Sequence, residues 1–321
     1  LSPAAKRTIA AFALFAGVLG CTATVVDPSA QARDSAELWE EQMAQATRSH
    51  RQGRIESASE LYEKALATSQ AFPPGDPRTL QTLSQRAELR LSQGLYEAAE
   101  QDYQEVIAAE RSNSPMDGDR LANALNNLAV FYLDLDRIPE AEALLAEAID
   151  IRVAIYGGDH PYVAALLQNL GDAERRAGNY PVAEDLLIRS LTIYSSAGRD
   201  YWRNASIAQN NLALLQAATG RMQDAERNHL YAIRLSIKVV GERNTDIGVF
   251  TRDLATLYTH QGRFGEAENL YRESISILRE GLGEASHQLS KTYRAYSEML
   301  SAAGRSEEAA EYLRRADETG F

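Results

Sequence analysis

The stretch LNNLAVFY (Leu125 to Tyr132), followed closely by RIPEAEALLAEAIDI (Arg137 to Ile151), decides the fold. Both carry apolar residues at helical spacing, and Asp136 stands between them where the chain must reverse. Outward from Asp136 the same position recurs as glycine: Gly53, Gly94, Asp136, Gly178, Gly220, Gly262 and Gly304 are spaced by 41, 42, 42, 42, 42 and 42 residues. Five residues after each comes an alanine, namely Ala58, Ala99, Ala141, Ala183, Ala225, Ala267 and Ala309. Seven residues before each comes a small residue: Ala46, Ala87, Ala129, Gly171, Ala213, Ala255 and Ser297. Columns in register along a whole chain are the mark of a repeat array.

The physical reading of one unit is a helix, a tight turn and a second helix. Glycine ends the first helix because it enters the left-handed region without a Cβ penalty. Small residues sit where the paired helices approach most closely. Nine residues after the turn stand Tyr62, Tyr103, Leu145, Leu187, His229, Tyr271 and Leu313, bulky fillers between neighbouring pairs with His229 as the exception. A second glycine closes most units, at Gly75, Gly118, Gly157, Gly198, Gly241 and Gly283, and Pro77 and Pro161 open the next helix. The expected fold is therefore all-α: an α-solenoid of about seven antiparallel helical hairpins over 34–75, 76–117, 118–159, 160–200, 201–243, 244–285 and 286–321. Gln42 and Gln45 in the first unit, and Glu307, Glu308, Glu311, Arg314 and Arg315 in the last, are the polar outer faces expected of terminal caps.

These columns resemble the tetratricopeptide repeat, and the 42-residue period is similar to that of the kinesin light chain variety. GGDHPYVA (Gly157 to Ala164), LQNLG (Leu167 to Gly171), QNNLALL (Gln209 to Leu215) and GRFGEAENLYRESISI (Gly262 to Ile277) carry the likeness as well. The resemblance covers residues 34–321 and implies a right-handed superhelix whose first helices line a concave face. Nine residues before the turn stand Asn127, Asn169, Asn211 and Asp253, and one residue earlier Asn126, Gln168, Asn210, Arg252 and Arg294. In the kinesin light chain family, asparagines at the equivalent inner position hold the backbone of an extended peptide. The resemblance thus implies a partner-binding role for these residues, with Asp253 keeping the acceptor and losing the donor. An amide offers both a donor and an acceptor, so a ladder of them can read a backbone of any sequence. The alternative is that the amides bond to neighbouring helices and fix the stacking register. Arg175, Arg176, Arg252 and Arg294 either form a basic inner patch or pair with the abundant carboxylates, and Trp202 with Tyr201 forms either an aromatic pocket or ordinary loop packing.

Residues 1–20 are unlike the rest: Lys6 and Arg7 precede the apolar run Thr8 to Gly20, and no acidic residue appears before Asp27. That is a signal-peptide layout, too short for a stable spanning helix, which needs about 20 residues. VLGC (Val18 to Cys21) resembles the lipobox of bacterial lipoproteins, which implies that Cys21 is acylated after cleavage. Removing 20 of the 321 residues leaves 301, and losing Lys6 and Arg7 takes the net charge from −12 to −14. Residues 21–33 then form the lipidated cysteine and a polar tether. In that family an Asp after the cysteine marks inner-membrane retention, so the resemblance, with Thr22 at that position, implies the outer membrane, facing the periplasm.

The acidic balance argues against nucleic-acid binding, which needs clustered Lys and Arg to neutralise phosphates. One cysteine cannot form an internal disulfide. His50, His160, His229, His260 and His287 fall in different units without metal-ligand spacing, there is no phosphate-cradling glycine loop, and carboxylates such as Glu140 and Glu142 recur at second-helix starts, where they complement the helix dipole. No catalysis, cofactor or metal is expected. The sequence reads as a membrane-anchored adaptor or scaffold holding a protein or peptide partner in its groove, with an oligomer possible. The competing readings are an assembly component of an envelope or secretion complex and an activator of a cell-wall enzyme.

Overall fold

Every residue of the 42-residue turn column adopts a left-handed backbone conformation: φ runs from 68° at Gly53 to 84° at Gly178, and Asp136 follows at 57° as the non-glycine member. A short polar side chain tolerates that region best among those with a Cβ. The next residue donates its N–H to the carbonyl five positions back, as in Arg137 to Tyr132 at 2.8 Å and Arg221 to Gln216 at 2.8 Å, so the helix ends are closed by a recurrent motif.

This computed structural model describes residues 28–113, 115–284 and 286–319. The described residues form helices α1 (Pro28–Arg51), α2 (Ile55–Ser69), α3 (Pro77–Ser92), α4 (Tyr96–Ser112), α5 (Gly118–Asp134), α6 (Ile138–Tyr156), α7 (Pro161–Arg176), α8 (Tyr180–Ala197), α9 (Trp202–Ala218), α10 (Met222–Val240), α11 (Thr245–His260), α12 (Phe264–Leu282), α13 (His287–Ala302) and α14 (Ser306–Glu318). Each odd-numbered helix pairs with the next as an antiparallel hairpin, and each even-numbered one also packs on the first helix of the following hairpin. The result is the expected all-helical superhelix of seven hairpins.

Helix starts follow the sequence signals. Pro77 and Pro161 occupy the first turn, where a missing N–H costs nothing. Asp76 accepts from the Arg78 N–H at 2.9 Å and the His160 ring from the Tyr162 N–H at 3.2 Å. Gly118 departs from expectation. It begins α5 instead of closing the unit before it, with no left-handed φ, and an added Cβ would lie 2.8 Å from Ile155 Cδ1, so its role is close approach. The first helix also begins earlier than expected, at Pro28, so that residues 28–33 of the expected tether are helical. Nothing between Ser29 and Arg33 interrupts a helix once proline has set its start.

The core lies between the helix layers. Ala46, Ala87, Ala129, Ala213 and Ala255 are fully buried, and a Cβ on Gly171 would come within 2.8 Å of Leu187 Cγ. The filler column is buried from Tyr62 to Tyr271, His229 included, whereas Leu313 of α14 is 44% exposed. Periodic ion pairs cross the hairpin junctions. Arg137, Arg221, Arg263 and Arg305, each just after a turn, bond to Glu100, Glu184, Glu226 and Glu268 of the preceding hairpin at 2.8, 2.7, 3.1 and 2.6 Å.

The superhelix returns on itself. Lys291 Nζ of α13 lies 3.1 Å from Asp134 Oδ1 at the end of α5, with the His287 ring 3.7 Å from the same atom. A Cβ on Gly283 would be 3.9 Å from the Gly53 nitrogen. A cavity between the two ends is lined by Arg51, Tyr62, Glu88 and Ser92 on one side and by Leu282, Ser286 and Gln288 on the other. One turn of the array therefore brings the start of the seventh hairpin against the C-terminal ends of α1, α3 and α5. No helix among the described residues is long and apolar enough to cross a membrane.

Candidate binding groove

The predicted amides do lie on the first helices α5, α7 and α9, with Asp253 and Arg252 on α11 and Arg294 on α13. Asn169 Nδ2 donates to Asn126 Oδ1 at 2.8 Å, and Asn210 Nδ2 donates to Asp253 Oδ2 at 2.8 Å. Both bonds join residues 43 apart: the earlier residue of a pair in one hairpin meets the later position in the next. Four of the predicted residues thus tie adjacent first helices together, which is the register-fixing alternative. Asn127 and Asn211 are half-buried and make no hydrogen bond among the described residues, while the buried Oε1 of the half-buried Gln168 also lacks a partner. These three keep amide capacity for another molecule.

The ladder has a buried extension that the sequence signals only through the odd member of the filler column. His229 is fully buried, its Nδ1 2.8 Å from Asn210 Oδ1. Because Asn210 gives its N–H to Asp253, the consistent arrangement is a neutral imidazole donating from Nδ1, which leaves the buried Nε2 without a partner among the described residues. Burial lowers the pKa of His229 to about 4, against a smaller opposing pull from the Asp253 charge.

The basic inner patch does not form. Arg175 and Arg176 both pair with Asp172, at 2.6 and 2.9 Å, and Arg176 also donates to the Leu133 carbonyl, closing the end of α5. Arg252 pairs with Asp253 at 2.9 Å and reaches Gln288 Oε1 at 2.8 Å, and Arg294 pairs with Asp317 at 2.9 Å. An acidic chain supplies a carboxylate to each. Tyr201 stacks on Tyr194 with centroids 6.2 Å apart, but Trp202 lines a separate cavity away from this face. Cys21 lies outside the described residues. Among the described residues no group of three or more His, Cys, Asp and Glu is placed to hold a metal ion.

Comparison with known proteins agrees with this architecture. The chain matches the tetratricopeptide repeat over residues 34–112, 120–196, 204–280 and 246–316. A clustered mitochondria protein homolog of Culex quinquefasciatus is 26% identical over 164 residues, 51% of this chain and 12% of that protein. The chain accordingly spans about an eighth of the length of the curated relatives it matches. Among solved structures, aspartyl phosphate phosphatase F from Bacillus subtilis superposes with a TM-score of 0.66 at 13% identity, covering 91% of this chain and 72% of that one. The Rap conjugation gene regulator of the plasmid pLS20, in complex with the Phr* peptide, gives 0.65 at 14% identity, covering 95% and 80%. At such identities the likeness is one of fold. Left-handed turn residues at a 42-residue period, fourteen helices in hairpins and a family match along nearly all described residues agree, and the chain belongs to the tetratricopeptide repeat family.

Proposed function

We propose that the protein is a non-catalytic scaffold that holds an extended segment of a partner protein in its concave groove, in the manner of the kinesin light chain group. The observation that carries this reading is the pair Asn127 and Asn211: equivalent positions two hairpins apart, half-buried, and without partners among the described residues where their neighbours are bonded. Each bond they make to a peptide is worth about 0.5–1.5 kcal/mol, so side-chain pockets must supply most of the 8 kcal/mol or so that a micromolar complex needs. The peptide-bound structural neighbour supports the same use of the fold. Anchoring belongs to the proposal too: Cys21, acylated, holds the groove at a bacterial envelope membrane, the outer one on the strength of Thr22.

Replacing Asn127 and Asn211 together by Ala separates binding from stacking. Crosslinked partner recovered from intact cells should fall at least tenfold with the melting curve unchanged, whereas Asn126→Ala with Asn210→Ala should lower melting. Loss of melting in the first variant with capture intact would overturn the groove reading. For the anchor, Cys21→Ser should move the protein to the soluble fraction. If it stays with the membrane, the acyl anchor is wrong.

A further inference from the structure

The fifth hairpin departs from the commonest residue at three columns at once. Where other hairpins place buried Leu121, Val163, Ile247 and Leu289, it has Ala205. Where the second, third and fourth hairpins place buried Leu83, Leu125 and Leu167, it has Gln209, a column that is also polar at Gln42 and Thr251. Where the first, third, fourth and sixth hairpins place Leu61, Leu144, Leu186 and Leu270, it has Asn228, as the second has Asp102. These positions converge on one cavity of about 680 Å³ between α8 and α10, floored by α9. Gln209 and Asn211 are two residues apart on one helix and so about 200° apart around it. The cavity therefore opens on the side of α9 opposite the groove amides.

Its polar lining is spent only in part: Asn228 donates to Gln216 Oε1 at 2.7 Å and Arg227 pairs with Asp224 at 2.7 Å. Gln209 is only 9% exposed, yet it makes no hydrogen bond among the described residues. Trp202 forms one wall, with the Lys238 Nζ 4.8 Å and the Arg199 guanidinium carbon 5.3 Å from its ring centroid. Arg234 lines the same cavity. None of Arg199, Arg234 and Lys238 is ion-paired among the described residues, in a chain of net charge −12 whose arginines are otherwise widely paired with carboxylates. Two cations of the lining, Arg234 and Lys238, unpaired among the described residues beside an amide that also lacks a partner there, are the arrangement a site has before its anion arrives. Arg234 and Lys238 are one helical turn apart, a rise of about 6 Å, close to the 6.6–6.8 Å or so between alternate side chains of an extended strand. The exposed Tyr231 and the Trp202 ring supply apolar surface beside them.

We infer that this outer cavity is a second binding site, taking an acidic extended peptide in which carboxylates alternate with apolar residues. The carboxylates meet Arg234 and Lys238, the Gln209 amide bonds the backbone between them, and Trp202 and Tyr231 cover an apolar side chain. This site is independent of the groove proposed above.

The test titrates the full chain, carrying Cys21→Ser, with acetyl-Glu-Leu-Glu-Leu-Glu-amide, read by tryptophan fluorescence. Trp39 is buried in the first hairpin, so the signal reports Trp202. A saturable change is expected, at least tenfold weaker for Arg234→Glu with Lys238→Glu, and weaker again when salt is raised. Gln209→Leu, which puts in the residue of the second to fourth hairpins, should weaken binding at least fivefold while melting stays level or rises. Asn127→Ala with Asn211→Ala should leave it unchanged. Absence of saturation, equal binding of the Gln-Leu-Gln-Leu-Gln peptide, or sensitivity to the groove variants instead of the cavity variants would overturn the inference. So would concentration-dependent dimerisation abolished by the charge reversals, which would make a second copy of the chain the occupant.

Discussion

At the scale of single residues, His229 is the most informative position. It takes a site that Tyr or Leu fills elsewhere and converts a packing role into a polar one, with Asn210 and Asp253 as its chain of partners. The unfolded chain holds this imidazole near its ordinary 6.5, the folded chain at about 4. Between those values only the unfolded state takes up the proton, so stability falls as pH drops from 6.5 towards 4, by at most about 3 kcal/mol. Above 6.5 the group contributes no pH dependence. His229→Leu should therefore flatten the fall in urea midpoint between pH 6.5 and 4.5. At pH 7 it should cost about 1 kcal/mol, because the Asn210 carbonyl loses its donor. An unchanged acid slope would show that carboxylates alone set it.

At the scale of helices and their junctions, the arginine–glutamate pairs act as a second repeat laid over the packing one. They have a gap: Glu142 stands at the position of Glu100, Glu184, Glu226 and Glu268, but the residue after the next turn is Asn179, which bonds Glu174 instead. Burial, with the neighbouring Glu174 charge adding to it, raises the pKa of Glu142, and its Oε1 has no partner among the described residues. Asn179→Arg should complete the series and stabilise the junction between the third and fourth hairpins by about 0.5–1 kcal/mol, read as a higher urea midpoint that added salt erodes. These features also show how far the sequence is legible. Turn and alanine columns lie at one period because each is set within its own hairpin. The junction pairs run at 37 residues and the amide bonds at 43, since contact between hairpins joins different columns, and a search along columns passes over both. Gly118 escaped for a related reason: it shares the spacing of the closing glycines, but packing against Ile155 selects it. The groove residues were legible as positions, not as free or bonded groups, because that depends on which neighbour reaches them.

At the scale of the whole molecule, the return of α13 to α5 is held by few groups. Burial works against the Asp134 charge, but the hydrogen bond from His287 and the charge of Lys291 outweigh it and hold that carboxyl below its ordinary range. Lys291→Glu should open the contact. Dyes placed at positions 52 and 284 in a Cys21→Ser background should show high energy transfer in the parent protein, with a clear drop in the variant and in 0.5 M salt. No drop would mean that backbone curvature alone sets the closure.

The same contact bears on time as much as on shape. A superhelix whose ends meet surrounds whatever lies along its axis, so a segment in the groove leaves only by sliding out lengthwise or by waiting for the ends to part. A partner bulky on both flanks of that segment has only the second route. Its capture rate then levels off at the opening rate however concentrated it becomes, and its residence time is set by Asp134 and Lys291, residues it need never touch.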